Sequence, residues 1–100
     1  MDVFPKFIVE DDCLIVGKCT YHKQLATNIK NVKGGGWWKY KREENELHLY
    51  GESDDFGPAS IDDIKACISA GNLFWSYNGG RKIEGQDIYL KTGVETIKLN

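Results

Sequence analysis

Residues 3–21 carry apolar side chains on both faces of what reads as one hairpin, and few folds accept such a ribbon. Val3 to Val9 reads as a strand centred on Phe7, Ile8 and Val9, Asp11-Asp12 as a turn, and Cys13 to Tyr21 as the return strand. Side chains alternate across a strand. Phe7, Val9, Leu14 and Val16 therefore share one face, and Ile8, Cys13 and Ile15 the other. A hairpin apolar on both sides belongs in the middle of a sheet that is covered above and below.

The remaining chain supplies candidates for both covers and for more strands. His22 to Lys30 reads as a short helix with Leu25 and Ile29 one turn apart on one side. The run Gly34, Gly35 and Gly36 reads as a loop. Trp37 to Lys41 and Glu46 to Tyr50 form a hairpin whose register follows from setting Lys41 against Glu46. Tyr40 then faces Leu47, Trp38 faces Leu49, Trp37 meets Tyr50 and Lys39 meets His48. Such aromatic and opposite-charge pairs contribute about 0.2–1 kcal/mol each. Ser60 is the expected N-cap of a second helix, with Asp63 three residues on, Ile61, Ile64, Cys67 and Ile68 as its apolar stripe, and Gly71 as its stop. Leu73 to Tyr77 reads as a strand, Asn78-Gly79-Gly80 as a turn, and Ile88 to Leu90 with Glu95 to Leu99 as a last hairpin around Thr92-Gly93. The expected architecture is α+β: one domain over residues 1–100, with a single mixed or antiparallel sheet flanked by two helices.

Composition narrows the classes. A chain of 100 residues forms one modest core. No apolar run approaches the ~18 residues of a membrane span, and no basic stretch precedes an apolar one at the N-terminus as in a secretory signal. Three cysteines without CxxC spacing argue against a zinc site or a disulfide scaffold. Cys13 and Cys19 on one strand would lie ~20 Å apart, too far to bridge. Reduced thiols in a cytoplasmic protein are the reading. Charge is segregated: Cys13 to Arg42 holds seven Lys or Arg and no acid, and Glu43 to Asp63 holds eight acids and no Lys or Arg. The two segments either neutralise each other as neighbours or leave an anion-binding face.

Three stretches bear on chemistry. His22 follows a strand and opens the first helix, where a rigid frame can present an imidazole as base or nucleophile; the residues alone favour a surface histidine instead. The segment GESDDFGPAS, residues 51–60, offers loop amides for an anion, although Asp54 and Asp55 oppose one. The run WWKYKR has basic and aromatic residues suited to nucleic acid. Its alternation, however, assigns Trp38 and Tyr40 to the core and leaves only Trp37, Lys39 and Lys41 outside, so nucleic acid is not the expected partner.

Lys6 in PKFIV, Tyr21-His22 in TYHKQLA, the triple glycine, and LHLYGESDDFGPAS occur in an order that resembles the protein phosphohistidine phosphatases of the janus/ocnus family. The match runs over roughly residues 3 to 75. The resemblance implies a central sheet with two helices and hydrolysis of a phosphoramidate, phosphohistidine or phospholysine, without metal or cofactor. Its substrate would be a phosphorylated protein or a small phosphoramidate. It implies His22 as the catalytic base or nucleophile and Lys6 as the cation that neutralises the phosphate. The backbone around Tyr21, His22 and Lys23, and the loop at Ser53, Asp54 and Asp55, would hold the phosphate oxygens. Gly34, Gly35, Gly36 and Trp37 would form a loop bordering the site and passing close under the His22 segment. The chain departs from the family in having Trp37 where a basic residue usually follows the glycines, in its two loop aspartates, and in its short first helix. The alternative is a non-catalytic relative that serves as a small protein-binding module.

Overall fold

The first hairpin forms as read. The computed structural model describes residues 2–76 and 80–100. In it β1 (Phe4–Glu10) and β2 (Cys13–Cys19) pair antiparallel, Phe7 against Val16 and Val9 against Leu14. Asp11 takes the left-handed conformation that the tight turn requires (φ 52). The hairpin lies inside the sheet, flanked by β3 (Val32–Lys41) and by β5 (Leu73–Trp75), which runs parallel to β2.

The second hairpin joins β3 to β4 (Glu46–Tyr50) in the register read from the sequence, from Trp37 opposite Tyr50 to Lys41 opposite Glu46. After α1 (Ile61–Ala70) and β5, the strand β6 (Asp87–Thr92) adds parallel to β4, and β7 (Glu95–Lys98) closes the far edge. The result is one mixed seven-stranded sheet, in the order β5-β2-β1-β3-β4-β6-β7. The strand expected over Leu73 to Tyr77 ends at Trp75; Tyr77 and the expected turn residues Asn78 and Gly79 lie outside the described residues.

One face of the sheet is closed by α1. Phe7, Val9, Leu14, Val16, Leu47, Leu49 and Ile88 pack there with Ile64 and Cys67 of the helix, all essentially without solvent contact. Burying each large side chain of this kind stabilises the fold by about 1.5–3 kcal/mol. The helix starts where the Ser60 hydroxyl accepts the Asp63 N–H (3.1 Å) and stops at left-handed Gly71. Burial pushes the Cys67 thiol up to about 12.

The other face departs from the expectation of a second helix. Residues 22–30 form no α-helix. Two short 3-10 turns, His22–Leu25 and Ile29–Asn31, cover a smaller cluster of Ile8, Cys19 and Leu25, while Ile29 is exposed. The cause is a residue distant in sequence. The Glu10 carboxylate, at the end of β1, accepts the backbone N–H groups of Thr27 (2.7 Å) and Asn28 (2.8 Å) and the Thr27 hydroxyl. Those amides would otherwise bond back along a helix, so the chain opens at Ala26 into extended backbone.

The triple glycine is likewise not a loop. Gly34, Gly35 and Gly36 lie within β3 and pair with Val9, Ile8 and Phe7. A Cβ on Gly34 would meet the Pro58 carbonyl oxygen at 2.3 Å, and one on Gly36 the Tyr50 and Gly51 carbonyl oxygens at 2.5 and 2.8 Å. A Cβ on Gly35 would meet the Phe7 carbonyl oxygen at 2.4 Å and the His22 ring at 3.2 Å. The glycines therefore admit mainly the chain between β4 and α1 against the sheet, and they do so as a strand.

Among the described residues no helix is long and apolar enough to cross a membrane, and Cys13, Cys19 and Cys67 are unpaired thiols.

Candidate functional site

Three distant segments meet where β3 carries Gly35, Gly36 and Trp37. Lys6 shares the face of Ile8 and stands opposite Trp37 across the β1–β3 ladder. Its ammonium donates to the Thr20 carbonyl (2.7 Å) and lies 4.8 Å from the centre of the Trp37 ring and 5.8 Å from that of Phe4. Only 9% of Lys6 is exposed. A carbonyl and two aromatic faces thus compensate a largely buried cation.

His22 follows β2 at the first 3-10 turn and is 3% exposed. Its Nε2 lies 2.8 Å from the Gly36 carbonyl oxygen, and the Trp37 ring stands edge-on at 6.0 Å. A carbonyl only accepts, so Nε2 carries the hydrogen and Nδ1 the lone pair. Among the described residues Nδ1 has no hydrogen-bond partner, and it is not one of the side-chain atoms sealed from solvent. Burial lowers the imidazole pKa. The Gly36 bond opposes this, Lys6 adds to it, and Asp55 and Asp54 oppose it more weakly, leaving the value below the ordinary one. The ring is therefore neutral at physiological pH.

The third segment is the turn after β4. Ser53, 2% exposed, donates its backbone N–H to the Gly35 carbonyl (3.0 Å), while Gly35 donates to the Gly57 carbonyl (3.0 Å). The Ser53 hydroxyl oxygen accepts the N–H groups of Asp55 and Phe56, both at 3.2 Å. Its own O–H has no acceptor among the described residues.

Lys6, His22, Ser53 and Trp37 are thus brought around the glycine strand, with Asp54 and Asp55 exposed nearby and close enough to His22 to influence its charge. The expected ring of amide donors is smaller than the sequence implied. The Tyr21 N–H is held by the Gln24 side chain (2.9 Å), that of Ser53 by Gly35, and that of Asp55 by the Ser53 hydroxyl. The amides of His22, Lys23 and Asp54 have no partner among the described residues. The Tyr21 and Lys23 side chains point to solvent and contact each other, the ammonium 5.5 Å from the ring centre. Gly34, Gly35 and Gly36 border the site as a strand, not as a loop.

Two supporting residues carried no signal in the sequence. Gln24 ties down both Thr20 and Tyr21 N–H groups, and Glu10 fixes the chain just beyond His22. A lone glutamate before Asp-Asp looks like one more surface acid. Two open cavities, of about 900 and 510 Å³, are lined by other residues than Lys6, His22 or Ser53. Among the described residues no three His, Cys, Asp or Glu side chains gather as a metal site would need. No protein-family model, curated protein or solved structure matches the chain.

Proposed function

We propose that the protein hydrolyses phosphoramidates, phosphohistidine or phospholysine, in the manner of the phosphohistidine phosphatases it resembles, and that it works in the cytoplasm, where its three thiols stay reduced. The observation that carries this reading is the His22 tautomer. The Nε2–H···Gly36 bond fixes the ring and leaves a neutral Nδ1 with its lone pair free.

In this reading Nδ1 attacks phosphorus. The P–N bond of the substrate breaks as the P–N bond to His22 forms, and the departing amine takes a proton from water. A second water then releases inorganic phosphate and restores the imidazole. Lys6 contributes positive charge, and the Ser53 hydroxyl and the amides of His22, Lys23 and Asp54 are the available donors for phosphoryl oxygens. Asp54 and Asp55 oppose the substrate's charge, but both are solvated and act at reduced strength.

The test is release of inorganic phosphate from a phosphohistidine peptide. The wild-type chain should turn over, His22→Ala should lose at least 100-fold in rate, and alkaline quenching, which preserves the acid-labile P–N bond, followed by mass spectrometry at high pH should trap phosphate on His22. A rate indifferent to His22→Ala ends the catalytic role. The acid limb of the rate should fall below the ordinary imidazole value of about 6.5, since the neutral ring is the active form.

One observation favours a second reading. The Lys6 ammonium is already held by Thr20 and covered by Trp37. A protein that binds a partner and catalyses nothing would keep this arrangement, and it would show no turnover of either phosphoramidate.

A further inference from the structure

We propose that the larger cavity, on the opposite face of the sheet from His22, is a binding site for a compact ligand carrying two or more phosphoryl groups. Strand alternation sets its position. Pro5 and Lys18 are cross-strand partners on the face of Phe7 and Val16, and Trp38, Tyr40 and Trp75 continue that face. Residues 81–86 form the facing wall. The volume of about 900 Å³ falls in the range of small-molecule sites, about 300–1,000 Å³.

Its charge is the first argument. Lys18, Lys39, Arg42, Arg81 and Lys82 line it, against the single acid Glu84. Strand alternation turns the Lys39 side chain to the other face, so four of the thirteen Lys and Arg gather in one hollow of a chain whose net charge is −2. Lys82 pairs with Glu84 at 3.6 Å. Among the described residues Lys18, Arg42 and Arg81 have no carboxylate within 4.0 Å. Unpaired cations in a concave wall focus a positive potential, and guanidinium forks match phosphoryl oxygens.

The second argument is independent of charge. Gln86, which lines the same cavity, holds the one buried side-chain polar atom among the described residues without a hydrogen-bond partner, its Oε1. A buried amide oxygen lacking a partner is uncommon in a folded protein; phosphoryl oxygens only accept, so an oligophosphate would serve this amide through its NH2 end, with the two ends exchanged.

The floor is built in advance and decides the ligand class. Trp38 meets Trp75 edge-on at 5.4 Å, Tyr40 meets Trp75 at 6.2 Å, and the Trp38 Nε1 donates to the Gly17 carbonyl. Tyr40 donates to Asn45, whose amide donates to Gly85 and ties the wall to the floor. Trp38 is buried and these rings contact one another through their edges. Recognition here rests on charge, which favours a short oligophosphate over a nucleic-acid strand, since a strand needs open ring faces for its bases.

Calorimetric titration with tripolyphosphate, pyrophosphate, orthophosphate and adenosine tests the site, with indole N–H resonances reporting position. Tripolyphosphate should bind at least tenfold more tightly than orthophosphate, adenosine should not bind, and the Trp38 and Trp75 signals should move while that of Trp37 stays. Arg42→Gln and Arg81→Gln, both at exposed positions, should each weaken tripolyphosphate at least threefold with an unchanged unfolding midpoint. No binding, a shift confined to Trp37, or a single-stranded oligonucleotide binding more tightly than tripolyphosphate each overturns the proposal.

Discussion

The two faces of the sheet are closed by opposite chemistries. Under α1 the interior is hydrocarbon: Phe7, Leu14, Leu47, Leu49 and Ile64 meet with no charged group among them. Under the 3-10 turns a small apolar cluster is surrounded by Lys6, Glu10 and His22, all buried and each hydrogen-bonded to backbone. Volume holds the first face and hydrogen bonds to charged or polar anchors hold the second. Burying such groups costs stability unless each finds a partner, and on this face backbone carbonyls and amides supply one.

This contrast can be broken by four substitutions. Ile64→Ala should cost the most, about 4 kcal/mol, because it leaves a cavity where nothing can collapse. Urea midpoints should show the same loss at pH 7 and at pH 4. Gly34→Ala follows at about 3 kcal/mol, since its Cβ meets the Pro58 backbone and not a side chain that could turn away. Hydrogen exchange should show the damage centred on β3 and the segment before α1. Glu10→Gln should cost about 2 kcal/mol at neutral pH.

The Glu10 loss should also depend on pH. Burial raises the Glu10 pKa, but the bonds from Thr27 and Asn28 outweigh it, and the net value lies below the ordinary 4.5. The carboxylate therefore stabilises the fold fully above about 4.5, and the contribution fades as pH falls through the lower folded value. The penalty of Glu10→Gln should shrink over that range. A penalty that holds constant into acid would mean that the anchor acts by shape alone, and the two faces would then be alike. Ser60→Ala should cost the least, about 1 kcal/mol, through loss of the cap on α1, and should leave the turn face untouched by exchange.

What was legible in the sequence was local. The β3–β4 register follows from five neighbouring pairs, and α1 from a cap, a stripe and a stop within a dozen residues. What was not legible depended on distant partners. Leu25 and Ile29 have helical spacing, yet Glu10 takes the amides that a helix would use. The triple glycine has the composition of a loop, yet it is needed in a strand because the chain from Tyr50 to Ala59 lies against it. The parallel pairs β2–β5 and β4–β6 left no periodic trace. In the candidate site, Lys6, His22 and Ser53 could be named from order along the chain. Which of the surrounding amides were already engaged by Gln24 and Ser53 could not.

The parallel pairing of Leu14 with Leu73 bears on how the molecule is made. A ribosome delivers β2 long before β5, so the nascent chain must carry an open, apolar strand margin until most of the domain has emerged. Chaperones that hold extended hydrophobic segments would find their natural target there, at Leu14 to Val16, during synthesis.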